Sequence, residues 1–470
     1  MSAPDMPDPP DRLELTGYLG RQRWFAGKGR AWQVARTATV GDLAPGVRID
    51  TVTVTYDDGG TETYQLPLSE YPTPQEHLAH AYVGEETGAD GSRRHVYDAL
   101  QDKDATVHWF EGVADGRAVG NLAFHRDPTI TELPPGGPSI VVGAEQSNTS
   151  VIFGDTVIVK VFRKVSPGIN PDIEVHAALA AAGSTHIAAP LGWLEGSWTD
   201  ATGDRVTASL AMAQTFLKDA TDGWEIALTS VRDLYAEADL HADEVGGDFA
   251  GEAQRLGAAT AEVHTALAAT LPTGRLEGKD LDDLVDGMRA RLERTAAEVA
   301  ELTPYAEALR TAFDDLAALD TPVEVQRVHG DYHLGQVMRT LDGWKLLDFE
   351  GEPARPLAER RGLESPVKDV AGMLRSFDYA ARHLLADHPL DQQREYRATE
   401  WAERNRDAFC DGYARAGGAD PRTQPVLLRA FETDKAVYEV LYEARNRPSW
   451  LQIPMAAIRR LAAQDDRVSE

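Results

Sequence analysis

The chain has 470 residues, 42% of them hydrophobic and 26% charged, which is enough for two or three domains with a substantial core. Its formal net charge of −29 argues against nonspecific attraction to nucleic acid or to an anionic membrane surface. One cysteine, Cys410, excludes an intrachain disulfide and fits a reducing interior, the thiol being read as a small buried apolar group. The acidic, proline-rich start is unlike a signal peptide, and no apolar run approaches the roughly 20 residues that span a bilayer. These features predict a cytoplasmic protein whose partners include neither nucleic acid nor membrane.

Residues 1–90 read as a small cap subdomain. Arg21–Arg30 is a basic, aromatic patch, but its Gly27-Lys28-Gly29 lacks the upstream glycine and following Ser/Thr of a Walker loop. The patch is therefore expected to close a helix and pack Trp24 and Phe25 on a sheet. Val47–Tyr56 is a strand run, and Asp57–Gly60 a hairpin turn into Thr61–Leu68. Nothing catalytic is visible in this sheet-rich module. Beyond it, Arg93–Leu100 is predicted to be helical and Ala118–Phe124 a strand. Leu133–Pro138 breaks all periodicity and marks a boundary before the catalytic part.

From Ser139 the pattern is strand, turn, strand. Ser147, Asn148, Thr149 and Ser150 lead into Val151–Phe153, a two-residue Gly154-Asp155 turn, and Thr156–Phe162. Such a polar run can hydrogen-bond phosphate oxygens, although Ser/Asn/Thr loops are common. Lys160 interrupts an apolar strand, where a cation is costly unless paired. Ser166–Asp172 reads as a turn and helix start, placing Glu174 in the first turns of a helix through Ala182. A strand lysine held by a helix glutamate is the arrangement that grips ATP phosphates; a snorkelling edge-strand lysine is the alternative. Ala208–Leu217 is a further strand, and Gln214, Phe216 and Leu217 at its end are where adenine would dock. Residues 91–217 thus read as an intermediate subdomain and nucleotide-side lobe. Residues 218–470 read as a helical lobe, with helices at Ala253–Leu267, Leu281–Glu301 and Tyr305–Leu319. His264, on the first of them, is read as a core or capping histidine.

Gln326–Pro353 carries the chemistry. Val337–Thr340 and Trp344–Leu347 are predicted strands joined through Leu341–Gly343. A turn centred on Asp342 sets Gln336 opposite Asp348, with Cβ atoms roughly 4.5–5.5 Å apart. That spacing suits two oxygen ligands sharing one magnesium at about 2.1 Å from each. Asp331 lies in the loop feeding the first strand, placed to orient an attacking hydroxyl and take its proton late. Glu350 reaches the metal directly or through water. His329 is expected to hold the loop, and His333 is read as structural in preference to a phosphate neighbour.

His329-Gly330-Asp331 with Gln336, followed by Leu347-Asp348-Phe349-Glu350, resembles the aminoglycoside phosphotransferase branch of the protein-kinase-like fold. Arg21–Arg30, Glu145–Ser150, Gly168–Glu174, His329–Gln336, Ser365–Ala380 and Asp434–Pro454 further resemble the actinobacterial maltokinases over nearly the whole chain. The resemblance implies an α+β, bilobal fold with a sheet-rich N-terminal cap, a small β-rich lobe and a large helical C-lobe. It implies ATP and Mg2+ as cofactors and phosphorylation of maltose to maltose 1-phosphate, a precursor for α-glucan (glycogen) synthesis. It also implies maltose supplied from trehalose, with trehalose synthase as an associated partner. By position, Asp331 is the base, Gln336 and Asp348 hold magnesium, and Lys160 with Glu174 positions the phosphates. Glutamine replaces the asparagine usual in the wider kinase pattern.

Asp369 opens the predicted helix Val370–His383. By the resemblance it holds the catalytic loop's backbone, and by position it is equally a plain N-cap. Arg375, Asp378 and Tyr379 on that helix are candidate substrate contacts. So are Tyr438, Glu443 and Trp450 on or after a second helix, Asp434–Arg445, although the same pattern serves helix packing. Two alternatives to a maltose kinase stand: a kinase for glucosamine or an aminoglycoside, and a non-catalytic kinase-like binding module. The presence of Lys160, Glu174, Asp331 and Asp348 together argues against the last.

Overall fold

The computed structural model describes residues 13–463, apart from Ala89, 144–146, Ala201, Ala238, 353–354 and 386–391. Glu145 and Gln146, at the head of the polar run, lie outside the described residues. The chain divides into two compact units, one of residues 1–177 and 188–218, the other of residues 178–187 and 219–470.

Among the described residues, two antiparallel sheets build the first unit. After the short helix α1 (Thr16–Leu19) come β1 (Trp32–Ala44), β2 (Val47–Tyr56), β3 (Thr61–Tyr71), β4 (Tyr82–Thr87) and β5 (Arg93–Asp98), in the spatial order β1-β2-β3-β5-β4. Trp24 and Phe25 are buried against this sheet, Phe25 meeting Trp32 edge-on at 4.6 Å. The basic patch is thus a packing device.

Arg93–Leu100 is a strand and a short 3-10 turn (Ala99–Gln101), correcting the helix expected there. Val96 and Tyr97 are buried and register with Glu70 and Ser69 of β3, so sheet pairing decides the local structure. The helix comes one step later as α2 (Lys103–Asp115), where the Asp102 carboxylate caps Asp104 N.

The second sheet is assembled from β6 (Ala118–Val119), β7 (Leu122–Arg126), β8 (Ser139–Val141), β9 (Asn148–Phe153) and β10 (Val157–Phe162), with two later strands. β11 (Lys164–Val165) leaves this sheet and pairs with β3 of the first. Helix α3 (Pro171–Ala181) follows, then β12 (Pro190–Thr199) and β13 (Arg205–Thr215), completing the order β6-β7-β12-β13-β10-β9-β8. Phe153 pairs with Val157, so the hairpin loop has three residues, Gly154–Thr156, one more than expected.

The second unit is helical. It runs β14 (Thr221–Asp222), α4 (Gly223–Ala236), α5 (Ala250–Thr270), β15 (Thr273–Leu276), α6 (Lys279–Glu298), α7 (Ala306–Ala317), β16 (Val323–Gln326), β17 (Val337–Thr340) and β18 (Gly343–Leu346). Then come α8 (Leu357–Arg360), α9 (Pro366–His383), α10 (Gln392–Arg415), α11 (Pro425–Asn446) and α12 (Gln452–Ala463). α6, α7, α11 and α12 bury Leu281, Val285, Phe313, Val437 and Ile458 in one core. The hairpin β17–β18 packs instead on α4 and α5: a Cβ on Gly223 would meet Val337 and Trp344, and Trp344 Nε1 donates to Glu252 O at 3.2 Å. Among the described residues, no helix is long and apolar enough to cross a membrane.

Candidate active site

The hairpin register differs by one residue from the expected one. Val337 pairs with Leu346 and Thr340 with Gly343, leaving Leu341 and Asp342 as a two-residue turn. Gln336 therefore faces Leu347, whose N–H donates to the Gln336 carbonyl at 2.9 Å, and not Asp348. Asp348 falls past the ladder with φ of 61°, the one non-glycine at positive φ among the described residues. Left-handed backbone costs an L-residue roughly 1–2 kcal/mol, least for Asp and Asn, so the conformation is bought by what it aims. It brings carboxylate oxygens of Asp348 and Glu350 within 4.8 Å of each other. With the Gln336 amide these are hard oxygen donors of the kind magnesium prefers.

Asp331 accepts a hydrogen bond from Lys435 Nζ at 3.1 Å, and its side chain remains 25% exposed. Burial pushes its pKa up, but the charges of Lys435 and then His333 outweigh that and bring it down to about 2. The group is therefore a carboxylate at any physiological pH, yet open on one side. Lys435, one turn before Tyr438 on α11, was not singled out from sequence. Its signal is a cation on the helix face that also carries Tyr438 and Tyr442.

The loop holding Asp331 is fixed from below by Asp369. Its carboxylate accepts from His329 N at 2.7 Å, Gly330 N at 2.9 Å and His264 Nε2 at 3.1 Å. Ser365, not Asp369, caps α9, which starts at Pro366, so the backbone-holding reading of Asp369 replaces the N-cap reading. Gly330 has φ of +86°, which lets successive N–H groups converge on one carboxylate. α9 comes close enough that a Cβ on Gly372 would lie 2.6 Å from Tyr332 O. His329 Nε2 donates to Leu347 O at 2.7 Å, tying the loop to the hairpin. His333 Nδ1 accepts from Gly335 N at 3.1 Å, and burial pulls its pKa down to about 4. Both histidines brace the loop through these bonds, and His264 is a buried link from Asp369 to Tyr413.

The nucleotide-side candidates lie in the first unit. Lys160 Nζ pairs with Asp172 Oδ2 at 3.1 Å, a partner the sequence pattern, which pointed to Glu174, did not name. Asp172 also meets His176 Nδ1 at 3.0 Å; burial opposes its charge, but Lys160 and His176 hold it well below the usual carboxylate range. Glu174 follows on the same helix, half-buried. Asn148, Thr149 and Ser150 are strand residues of β9 and buried, while Ser147 is exposed. Thr149 Oγ1 accepts from Arg163, which corrects the expectation of a free phosphate-binding loop at that position. Gln214 on β13 pairs with Ile158 of β10, and half-buried Leu217 lies beyond the strand end. Phe216 N donates to Thr156 O at 2.8 Å, so that N–H is already used.

The substrate candidates separate into two groups. Arg375 is fully buried, bonding Glu439 at 2.6 Å and Asp378 at 2.7 Å. Asp378, also buried, gathers Arg460 at 3.2 Å and Arg382 at 3.5 Å. Glu443 is 1% exposed and holds Arg447 at 2.6 Å. Arg375 and Asp378 tie α9 to α11 and α12, Asp378 also lies 3.8 Å from Arg406 of α10, and Glu443 holds the residue after α11, which corrects their reading as sugar contacts. Tyr379, half-buried, donates to Glu443 at 3.2 Å. Tyr438 and Tyr442 stack with ring centroids 6.3 Å apart, and Lys435 Nζ lies 5.2 Å from the Tyr438 ring. Trp450 sits under the Arg447 guanidinium at 4.2 Å. The accessible aromatic face thus starts beside Lys435 and Asp331 and runs outward along α11.

The maltokinase N-terminal cap domain family matches residues 18–102, and the phosphotransferase enzyme family matches residues 140–422. The chain belongs to the phosphotransferase enzyme family. Within it, a relative described as glucosamine kinase from Streptacidiphilus jiangxiensis is 31% identical over 384 residues, covering 78% of this chain and 82% of the relative. Another, from Mycolicibacterium smegmatis (strain ATCC 700084 / mc(2)155), is 28% identical over 402 residues, covering 78% and 95%. A crystal structure described as glucosamine kinase (crystal form B) superposes with a TM-score of 0.69 at 25% identity, covering 92% of this chain and 94% of that one. A second, with glucosamine, ADP and inorganic phosphate, gives 0.67 at 24% identity over 96% and 99%. The protein is a phosphotransferase of α+β, protein-kinase-like fold with a sheet-rich N-terminal cap.

Proposed function

We propose that this phosphotransferase moves the γ-phosphoryl group of ATP to the anomeric hydroxyl of maltose, giving maltose 1-phosphate and ADP. The observation that carries the reading is the state of Asp331: ionised, partly open, and seated on Lys435 at 3.1 Å. A carboxylate of such low proton affinity is a poor base for a free hydroxyl. It is well suited to orient one and to receive its proton late, as a loose phosphoryl-transfer transition state requires. The sugar oxygen bonds to the γ-phosphorus, the bond to the β–γ bridging oxygen breaks, and the proton passes to Asp331. Asp348, Glu350 and Gln336 would hold magnesium, which neutralises charge on the phosphates. Lys160, paired with Asp172 at 3.1 Å, would contact phosphate oxygens, with Glu174 on the Asp172 helix supporting it.

Three features favour maltose. The cap family matched at residues 18–102 is that of maltokinases. Lys435 already places an ammonium beside the base, so an amino-sugar acceptor would bring a second cation into the same space, where like charges repel. The tyrosine pair at 438 and 442 offers a flat face for the second ring of a disaccharide, a reach that a monosaccharide does not use. The second reading is glucosamine, which the names of the two relatives favour.

The test is kcat/KM with ATP and magnesium for maltose, glucosamine and kanamycin. Maltose is expected to exceed the others by at least about a hundredfold. Equal or higher values for glucosamine would transfer the assignment to the second reading.

A further inference from the structure

The cap has no chemistry of its own, yet a buried arginine ties it to the strands on the nucleotide side. Arg163 directly follows β10 and is 1% exposed. Its Nη2 donates to Asp98 Oδ2 at 2.6 Å, at the end of cap strand β5. Its Nε donates to Thr149 Oγ1 at 2.9 Å, on β9. The guanidinium lies 4.8 Å from the Trp24 ring, and the same Asp98 oxygen accepts from Tyr18 OH at 2.8 Å.

The cap grips the neighbouring backbone as well. The Gln65 side-chain amide donates to Phe162 O and Leu210 O, each at 2.9 Å, and Gln65 N donates to Arg163 O at 2.7 Å. Thr149 and Ser150 register with Val161 and Lys160 across β9 and β10. One rigid fork therefore joins the cap to both strands that carry the phosphate-side residues. Burying a guanidinium is expensive, and apolar residues would join two sheets at less cost. What a planar fork adds is fixed geometry between two separate acceptors.

We propose that Arg163 is a positioning residue for the nucleotide: by tying Asp98 of the cap to Thr149 it fixes the strand pair of Lys160 and Ser150, making the cap part of the ATP site. The inference rests on the phosphotransferase reading of the first unit and is independent of which sugar is the acceptor.

The test uses the full chain, with ADP and magnesium titrated by calorimetry beside steady-state kinetics. Thr149→Val keeps the strand and removes the acceptor; Arg163→Met removes the fork; Arg163→Lys keeps a cation for Asp98. Thr149→Val and Arg163→Met are each expected to raise the ADP Kd and the KM for ATP about tenfold, with kcat and the sugar KM within about twofold. The double variant is expected to match the worse single one, because both remove the same link. Arg163→Lys recovers part of the loss.

Should Arg163→Met fail to fold, Thr149→Val decides alone. Additive losses in the double variant would mean that Thr149 acts on the nucleotide directly and would overturn the proposal. Wild-type nucleotide binding in Thr149→Val would overturn it too, leaving the phosphotransferase reading intact. A wild type that binds no ADP would overturn both.

Discussion

Two lysine–aspartate pairs, Lys160–Asp172 in the sheet unit and Lys435–Asp331 in the helical unit, share an Nζ–O distance of 3.1 Å. In the sheet unit the side chains of Lys160 and Asp172 are 13% and 4% exposed; in the helical unit those of Lys435 and Asp331 are 27% and 25% exposed. The same contact therefore serves opposite ends. Asp172 is hidden, and in the proposed function it is the cation it anchors that acts. Asp331 is about as open as its lysine and far more open than Asp172, and the lysine is a fixed charge that keeps it unprotonated. Distance alone does not tell a supporting carboxylate from a reacting one; access does.

The comparison breaks most clearly on a pair of substitutions. Asp331→Asn is expected to lower kcat about a thousandfold while ADP binding stays at the wild-type level. Asp172→Asn is expected to do the reverse, weakening ADP about tenfold through a misplaced Lys160. Calorimetry with single-turnover kinetics on both variants reads the contrast.

A smaller effect follows from Lys435→Met. Asp331 has a folded-state pKa of about 2, below the usual 3.8, so it is ionised and supporting at higher pH and loses its charge only as pH falls through about 2. Without Lys435 the acid limb of kcat/KM should move up toward pH 4 or above, with roughly a tenfold loss at neutral pH. An unmoved limb would mean that Lys435 serves only packing.

The smallest effect concerns His333, held by burial at about 4 against a usual 6.5. The unfolded chain takes up this proton first, so stability should rise with pH between about 4 and 6.5. His333→Gln is expected to flatten that rise by about 1–2 kcal/mol, measured by urea unfolding at pH 5 and pH 7.

What the sequence disclosed follows from how local the deciding interactions are. β2 was legible with its bounds, Val47–Tyr56, because alternation and a glycine turn are local signals. The strand Arg93–Asp98 was not, because its pairing to β3 is settled by residues about 25 positions away. The catalytic hairpin was placed correctly but slipped by one residue, since a two-residue turn at Leu341-Asp342 and a three-residue one leave the same hydrophobic pattern. The loop-holding by Asp369 was reached only through the family resemblance, because its position read equally well as an N-cap. Arg375 and Asp378 were misjudged because their partners, Glu439 and Arg460, come from α11 and α12, more than 60 residues on. A polar residue on a helix looks like surface until its distant counter-charge is known. Asp172 and Lys435 were missed for the related reason that each acts through a partner on another element.

The most direct test of the account is the position of the phosphate on the product. Incubation with ATP, magnesium and maltose, followed by 31P and 1H NMR, is predicted to give a single phosphate coupled to the anomeric proton of the reducing ring, absent with Asp331→Asn. A phosphate on any other carbon, or turnover of glucosamine but not maltose, would contradict it.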